Sequence, residues 1–182
     1  MNKKATPTLA EFQHSISYIR ATGRMFFLPK TSDIEPRERE RRIFNTQFSG
    51  QEAFASAARG YLSGVFMGRR FMAHRVVYLF ENGKWPVGHL DHINHIKTDN
   101  RIENIRDASP QENARNMSMS KANRSGSTGV FWSNNAKKWT AQIGKNGKAV
   151  HLGYFESFNA AKDARAKASK DIGYHANHGA QP

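Results

Sequence analysis

The chain has 182 residues, carries 28 Lys and Arg against 15 Asp and Glu for a net charge of +13, and contains no cysteine. That length holds one ordinary domain or two or three small modules, and the charge favours a polyanionic partner, nucleic acid ahead of an anionic membrane surface. The absence of thiols excludes disulfides and thiolate-zinc sites, so any metal must be held by oxygen and imidazole.

No run approaches the ~18 apolar residues of a membrane span. The start, Met1-Asn2-Lys3-Lys4-Ala5-Thr6-Pro7, leads into no apolar signal core. A soluble intracellular protein with no membrane partner is expected.

Leu9-Ala10-Glu11-Phe12 suits a short helical turn. Ile16 and Tyr18 then alternate with polar neighbours up to Thr22-Gly23, a turn signal, and Arg24 to Leu28 reads as the returning strand. Pro29 to Arg42 mixes charges of both signs, as a solvated loop or surface helix does, with a DNA-facing arm as the alternative. Ala53 to Ala58 is small and helix-compatible. Tyr61 to Phe66 and Phe71 to Ala73 flank Met67-Gly68-Arg69-Arg70, a hairpin whose tip presents two arginines. Val76, Val77, Leu79 and Phe80 suit a short buried helix over 74–81, ended by Asn82-Gly83.

Trp85-Pro86 turns the chain into Gly88-His89-Leu90-Asp91-His92-Ile93-Asn94-His95, a cluster of one carboxylate, three imidazoles and an amide. Further on, Ser109-Pro110-Gln111-Glu112 joins an N-cap serine, a proline at the first helical position and a glutamate at the third. A helix starting there carries Asn113 in its first turn and Asn116 one turn further along the same face. Residues 118–127, rich in Ser and Gly, lack apolar periodicity and read as a linker.

A second module follows. Val130-Phe131-Trp132, Trp139 to Ile143 and Ala149 to Leu152 are strand-like, the last two joined across Asn146-Gly147, a strong hairpin signal. Ser157 caps a helix in which Phe158, Ala161, Ala164, Ala168 and Ile172 recur near the helical period. Alternation sends Trp139, Ala141, Ile143, Val150 and Leu152 toward the helix and Lys138, Thr140, Gln142 and His151 outward.

Hydrolysing a phosphodiester requires a water, a base for its proton and a cation for the developing charge. Asp91 supplies a carboxylate, Asn113 an amide oxygen, and His92 an imidazole whose ordinary pKa near ~6.5 suits a general base. Taken singly, each has a bland reading: a strand-end carboxylate, a satisfied polar residue, an exposed helix amide. The histidines at 89, 92 and 95 would form a zinc-binding stripe on a helix, but Pro86 and Gly88 disfavour a helix there.

The spacing is more specific. Asp91-His92, Asn104 thirteen residues after Asp91, and Asn113 nine residues later resemble the HNH endonuclease family, in the branch where Asp and Asn replace the outer histidines. Asp99-Asn100-Arg101-Ile102-Glu103-Asn104-Ile105-Arg106 and Ala73-His74-Arg75 extend the match, and the hairpin of residues 16–28 looks like the front end of phage-encoded homing-type members.

The resemblance implies a beta-beta-alpha-metal core, with Asp91 and Asn113 as ligands of one Mg²⁺ or Mn²⁺, His92 as the base and Asn104 as a brace for the loop. It also implies 5′-phosphate and 3′-hydroxyl products. Arg69 and Arg70 of the hairpin, with Arg75, Arg101 and Arg115, are candidate DNA contacts. Arg75, Arg101 and Arg115 equally suit surface ion pairs. Asn94-His95 departs from the family, in which many members have an acidic residue followed by Gly.

From Gly126 to about Tyr174, Gly129-Val130, Lys138-Trp139-Thr140-Ala141-Gln142-Ile143, His151-Leu152-Gly153-Tyr154-Phe155 and Ala160-Ala161 resemble the Apetala-two (ethylene-response-factor) DNA-binding domain. That resemblance implies a reading face of Thr128, Phe131, Ser133, Lys138, Thr140, Gln142 and His151, with phosphate contacts through Lys137, Lys138, Lys145 and Lys148. Several arginines of the family's face are missing here, so loose sequence preference is expected.

The expectation is therefore an α+β chain: an N-terminal hairpin region (1–58), a nuclease core (59–117), a linker (118–127) and a DNA-binding module (128–182). Its expected activity is cleavage of double-stranded DNA by a monomer, in the cytoplasm of a bacterial host if the chain is phage-encoded. The competing class is a non-catalytic DNA-binding protein or regulator derived from such a nuclease.

Overall fold

The computed structural model describes residues 5–180. It is a mixed α+β chain with small antiparallel sheets and, among the described residues, five α-helices. It divides into two compact units, Met1–Ala108 and Ser109–Pro182, a boundary upstream of the expected linker. No helix among the described residues is long and apolar enough to cross a membrane.

The first unit opens with α1 (Leu9–Gln13), where Thr8 and Glu11 form a reciprocal capping box. Phe12 on this helix is fully buried and organises the core, its ring stacked on Phe66 at 4.2 Å and edge-on to Phe71 and Trp85. Burying a side chain of that size contributes about 1.5–3 kcal/mol. Strands β1 (Ile16–Ile19) and β2 (Arg24–Phe27) pair as the turn signal at Thr22-Gly23 requires. The charged stretch becomes a surface helix, α2 (Glu38–Phe48), which sets Phe44 and Phe48 against Phe27.

Residues 53–58 are not helical. They enter β3 (Glu52–Ala53) and β4 (Ser56–Ala58), with Phe54 between them at φ 57°. Sheet pairing overrides local propensity here: Ala53 completes the first sheet opposite Met25, and Phe54 is buried against Gly64, where a Cβ would lie 2.8 Å from the Phe54 Cα.

In the next hairpin, β5 (Tyr61–Phe66) and β6 (Arg69–Met72), the tip is Met67-Gly68, both with positive φ. The two arginines therefore stand on β6 and not at the tip. Arg69 donates to the Ala5 carbonyl at 3.0 Å, and Arg70 to the Ser63 hydroxyl at 2.9 Å. Helix α3 (Ala73–Asn82) buries Ala73, Val76, Val77 and Leu79 in the core and ends at Gly83 in the left-handed conformation, φ 70°. Strands β7 (His89–His92) and β8 (Ile105–Ala108) form a two-stranded sheet, joined through a 3-10 turn at Ile102–Asn104.

The second unit begins with α4 (Pro110–Ala114), capped by Ser109 and Glu112 as the sequence predicts. It is only five residues long, so Asn116 lies beyond it and is buried, not displayed a turn further along the helix. The segment expected as a linker is hydrogen-bonded to the chain end: Met119 donates to the Ala180 carbonyl and Gly179 to the Met117 carbonyl.

Strands β9 (Val130–Ser133), β10 (Lys138–Lys145) and β11 (Lys148–Phe155) make an antiparallel sheet with β10 central, and α5 (Phe158–Ile172) packs on it. A bulge on β11 shifts the faces from Gly153 onward. Ala141 opposes Gly153 while Gln142 opposes His151, so Leu152 is the extra residue. Thr140, expected outward, is buried in a cross-strand row between Phe131 and Tyr154, whereas Val150, expected inward, is exposed. Trp139 is half-buried, edge-on to Trp132 and Phe158, as its core assignment requires.

Candidate active site

Antiparallel pairing of β7 with β8 places Asp91 opposite Arg106 and His92 opposite Ile105. Arg106 donates to one Asp91 oxygen, Oδ2, from Nη2 at 2.9 Å and Nε at 3.1 Å. His92 faces the core, 5% exposed, and its ring lies 5.2 Å from that of His74 on α3 and 5.8 Å from that of Tyr61 on β5.

The His92 Nε2 lies 3.2 Å from Oδ1 of the buried Asn100. An amide oxygen only accepts, so Nε2 carries the proton and the basic lone pair resides on Nδ1. Burial lowers the His92 pKa, opposed by the Asn100 hydrogen bond and the Asp91 charge. The imidazole is thus neutral near neutrality, the state a general base needs. His74 is pushed down further, to about 4, by burial and by the neighbouring charges of His92 and Arg75.

The β7–β8 loop is closed by Asn104. Its Oδ1 accepts from the Asn94 N–H at 2.9 Å, its Nδ2 donates to the Asp99 carbonyl at 2.8 Å, and its own carbonyl accepts from the Ile93 N–H at 2.9 Å. Asn94 adds a second stitch, donating to Asp99 Oδ2 at 2.7 Å and accepting from the Ile96 N–H at 2.9 Å. His95 adopts φ 65°, the left-handed region glycine enters at no cost.

Asp99 is held well below the usual carboxylate range, to about 2, chiefly by its hydrogen bond from Arg101. Gly23, in the β1–β2 turn, passes so close that a Cβ there would lie 2.2 Å from the Asn100 carbonyl carbon and oxygen.

The first unit therefore brings together Asp91, His92 and Asn104. It adds four residues that sequence reasoning gave no role: Arg106, Asn100, His74 and Tyr61. Arg106 was within reach of a register argument, since it sits on the return strand of the same hairpin. The other three meet His92 only through tertiary packing. Asn113 belongs to the second unit, exposed on α4.

Arg75 donates to the Pro86 and Gly88 carbonyls and fixes the approach to β7, while Arg101 pairs with Asp99 at 2.6 Å. In the second unit Arg115 lies over the Tyr174 ring, Lys138 pairs with Glu156, and the Ser133 hydroxyl accepts from the Ala136 N–H. Phe131, Gln142, Lys145, Lys148 and His151 are exposed, and Thr128 lines a cavity beside α5.

His89 and His92 lie on a strand, so the three histidines form no helical stripe, and among the described residues no group of three or more His, Asp or Glu is placed to hold a metal. In the first unit the Asp91 carboxylate is an oxygen donor of the kind a hard divalent ion prefers over zinc.

Residues 71–115 match a family model described as HNH endonuclease, a span that contains Asp91, His92, Asn104 and Asn113. The chain is also 36% identical over 76 residues to Protein 3.8 of Escherichia phage T7, an alignment covering 41% of this chain and 63% of that protein. It thus spans less than two thirds of the relative's length. No solved structure matches.

Proposed function

We propose that the chain is a metal-dependent DNA endonuclease of the HNH type, with His92 as the general base. One observation carries this reading: a buried, neutral imidazole fixed in its tautomer by Asn100, next in sequence to Asp91, within the segment that matches the HNH model.

Asp91 and Asn113 would hold one Mg²⁺ or Mn²⁺, which when bound supplies charge neutralisation at the scissile phosphate and leaving 3′ oxygen. His92 takes the attacking water's proton at Nδ1, and Asn100 keeps Nε2 protonated. Asn104 holds the loop closed so that the His92 ring keeps its aim. Attack in line with the leaving group leaves a 5′-phosphate and a 3′-hydroxyl. The beta-beta-alpha-metal description of β7, β8 and α4 belongs to this proposal.

The second unit holds the DNA. It carries 11 Lys and Arg against 4 Asp and Glu, and its exposed Lys145, Lys148 and His151 suit phosphate contacts that position without specifying sequence. The Apetala-two-like reading of this module, the free-standing phage homing role, action as a monomer and the bacterial cytoplasm as location belong to the same proposal.

The Arg106–Asp91 pair favours a second reading, a DNA-binding protein that has lost catalysis and uses this carboxylate as a structural partner. Cleavage of supercoiled plasmid in Mg²⁺ separates the two. The parent should nick or cut while His92→Ala and Asp91→Ala do neither. Equal cleavage by all three would end the nuclease assignment at this site, and no cleavage by the parent would favour the second reading.

A further inference from the structure

Beside α5 in the second unit lies a polar cavity of about 230 Å³, lined by Lys162, Arg165 and Ser169 of the helix, by Gly126, Ser127 and Thr128 ahead of β9, and by the chain end at Gly179. The three helical residues recur at intervals of three and four, so they share one face.

Arg165 is 6% exposed, yet among the described residues no carboxylate pairs with it, and the unit's one ion pair, Lys138–Glu156, lies elsewhere. Its Nη1 donates to the Ser169 hydroxyl and its guanidinium stands over the Tyr174 ring at 5.0 Å, but Nε has no hydrogen-bond partner. The Thr128 hydroxyl, in the same cavity, also lacks one.

Two glycines pack close against these buried donors without offering them a partner. A Cβ on Gly129 would lie 2.7 Å from Nε of Arg165, and one on Gly179 would lie 2.6 Å from Oγ1 of Thr128.

We propose that this cavity is an oxyanion site that takes a single phosphate group. A guanidinium does not shed its proton in proteins, and a buried charge needs a partner of opposite sign. With 11 basic residues against 4 acidic ones in the unit, the counter-charge comes from outside the chain. The planar fork of arginine matches phosphate oxygens in pairs, Lys162 at the exposed mouth adds a second cation, and the Thr128 hydroxyl offers a third donor.

Size sets the class of ligand. Pockets for drug-sized molecules start at about 300 Å³, so this one suits one phosphate group, whether free inorganic phosphate or a group on DNA. It is separate from the row of Phe131, Thr140 and Tyr154 on the sheet and does not depend on the nuclease reading.

The test uses the full chain and inorganic phosphate. Thermal unfolding is followed as phosphate replaces chloride at constant ionic strength. The melting temperature should rise and saturate. Lys162→Ala and Thr128→Val should each raise the half-saturating concentration about tenfold, the loss of one hydrogen bond to a charged group.

Lys167→Ala removes the same charge from an exposed site on the same helix and should leave the curve unchanged. Arg165→Gln, if folded, should show no rise, and if it fails to fold the other two variants decide. Equal melting in the two salts, or equal curves in the parent, Lys162→Ala and Thr128→Val, would overturn the proposal. Gel shifts with and without saturating phosphate then assign the source. Competition with DNA that is lost in Lys162→Ala assigns the site to a DNA phosphate, and DNA binding untouched by phosphate assigns it to the free anion.

Discussion

The two units treat their charges in opposite ways. In the first, Arg20, Arg24, Arg37, Arg101 and Arg106 each have a carboxylate partner, and Arg75 is spent on backbone carbonyls. In the second, one described ion pair serves 11 basic residues, and one of those basic groups is buried without an acid. A unit that pairs its arginines around the site with its own carboxylates can hold a reacting group at a fixed angle, whereas one with few internal pairs gains most from an anion supplied by a partner. On the proposed reading, the difference suits chemistry in the first unit and attachment in the second.

The sharpest way to break that division is His92→Ala. Losing a general base costs about 10²–10⁴ in rate, so plasmid cleavage should fall by that factor while gel-shift affinity stays at the parent level. A parallel loss of affinity would mean that the two roles are not divided.

Next comes Gly23→Ala. Its φ of 69° and the 2.2 Å approach to Asn100 should together cost on the order of 2 kcal/mol or more, read as a lower denaturation midpoint. Asn104→Ala should follow, at about 1–3 kcal/mol, because it strands the buried loop groups that its side chain now satisfies. Cleavage should fall with it as the loop opens.

A smaller effect is expected from His74. Its pKa falls from the ordinary 6.5 to about 4 on folding, so the unfolded chain binds the proton more readily than the folded one between those values. Stability is therefore present above pH 6.5 and is lost as pH drops toward 4. Melting temperatures for His74→Phe should fall less over that window than those of the parent. The smallest change is predicted for Lys148→Ala, which should lower the salt dependence of DNA binding by about one unit of slope and leave melting unchanged.

Much of this organisation was legible in the residues. Turn and cap chemistry is local, so the hairpin at Asn146-Gly147, the capped start at Ser109 and the left-handed stop at Gly83 were all visible. That Pro86 and Gly88 keep the Asp91-His92 segment out of a helix was visible too. What lies across the chain was not. Residues 53–58 have helical composition and become strands because Met25 offers an edge. Alternation put Thr140 on the outward face, but its cross-strand neighbours Phe131 and Tyr154 cover it there, and the extra residue Leu152 reverses the faces of β11 only from Gly153 onward. Arg165 occupies a buried position between Ala161 and Ala168, where the apolar period points to small side chains and gives no hint of a guanidinium.

The contact of Gly23 with Asn100 bears on how this protein is divisible. Phe12, Ile16 and Met25 belong to the same core as Val76, Val77 and Ile105, and the β1–β2 turn presses on the residue that orients His92. A fragment beginning near residue 59 would keep the four motif residues and lose the wall behind them. Transplanting the His92 site into another protein therefore requires the first hairpin as well, with a glycine at its turn.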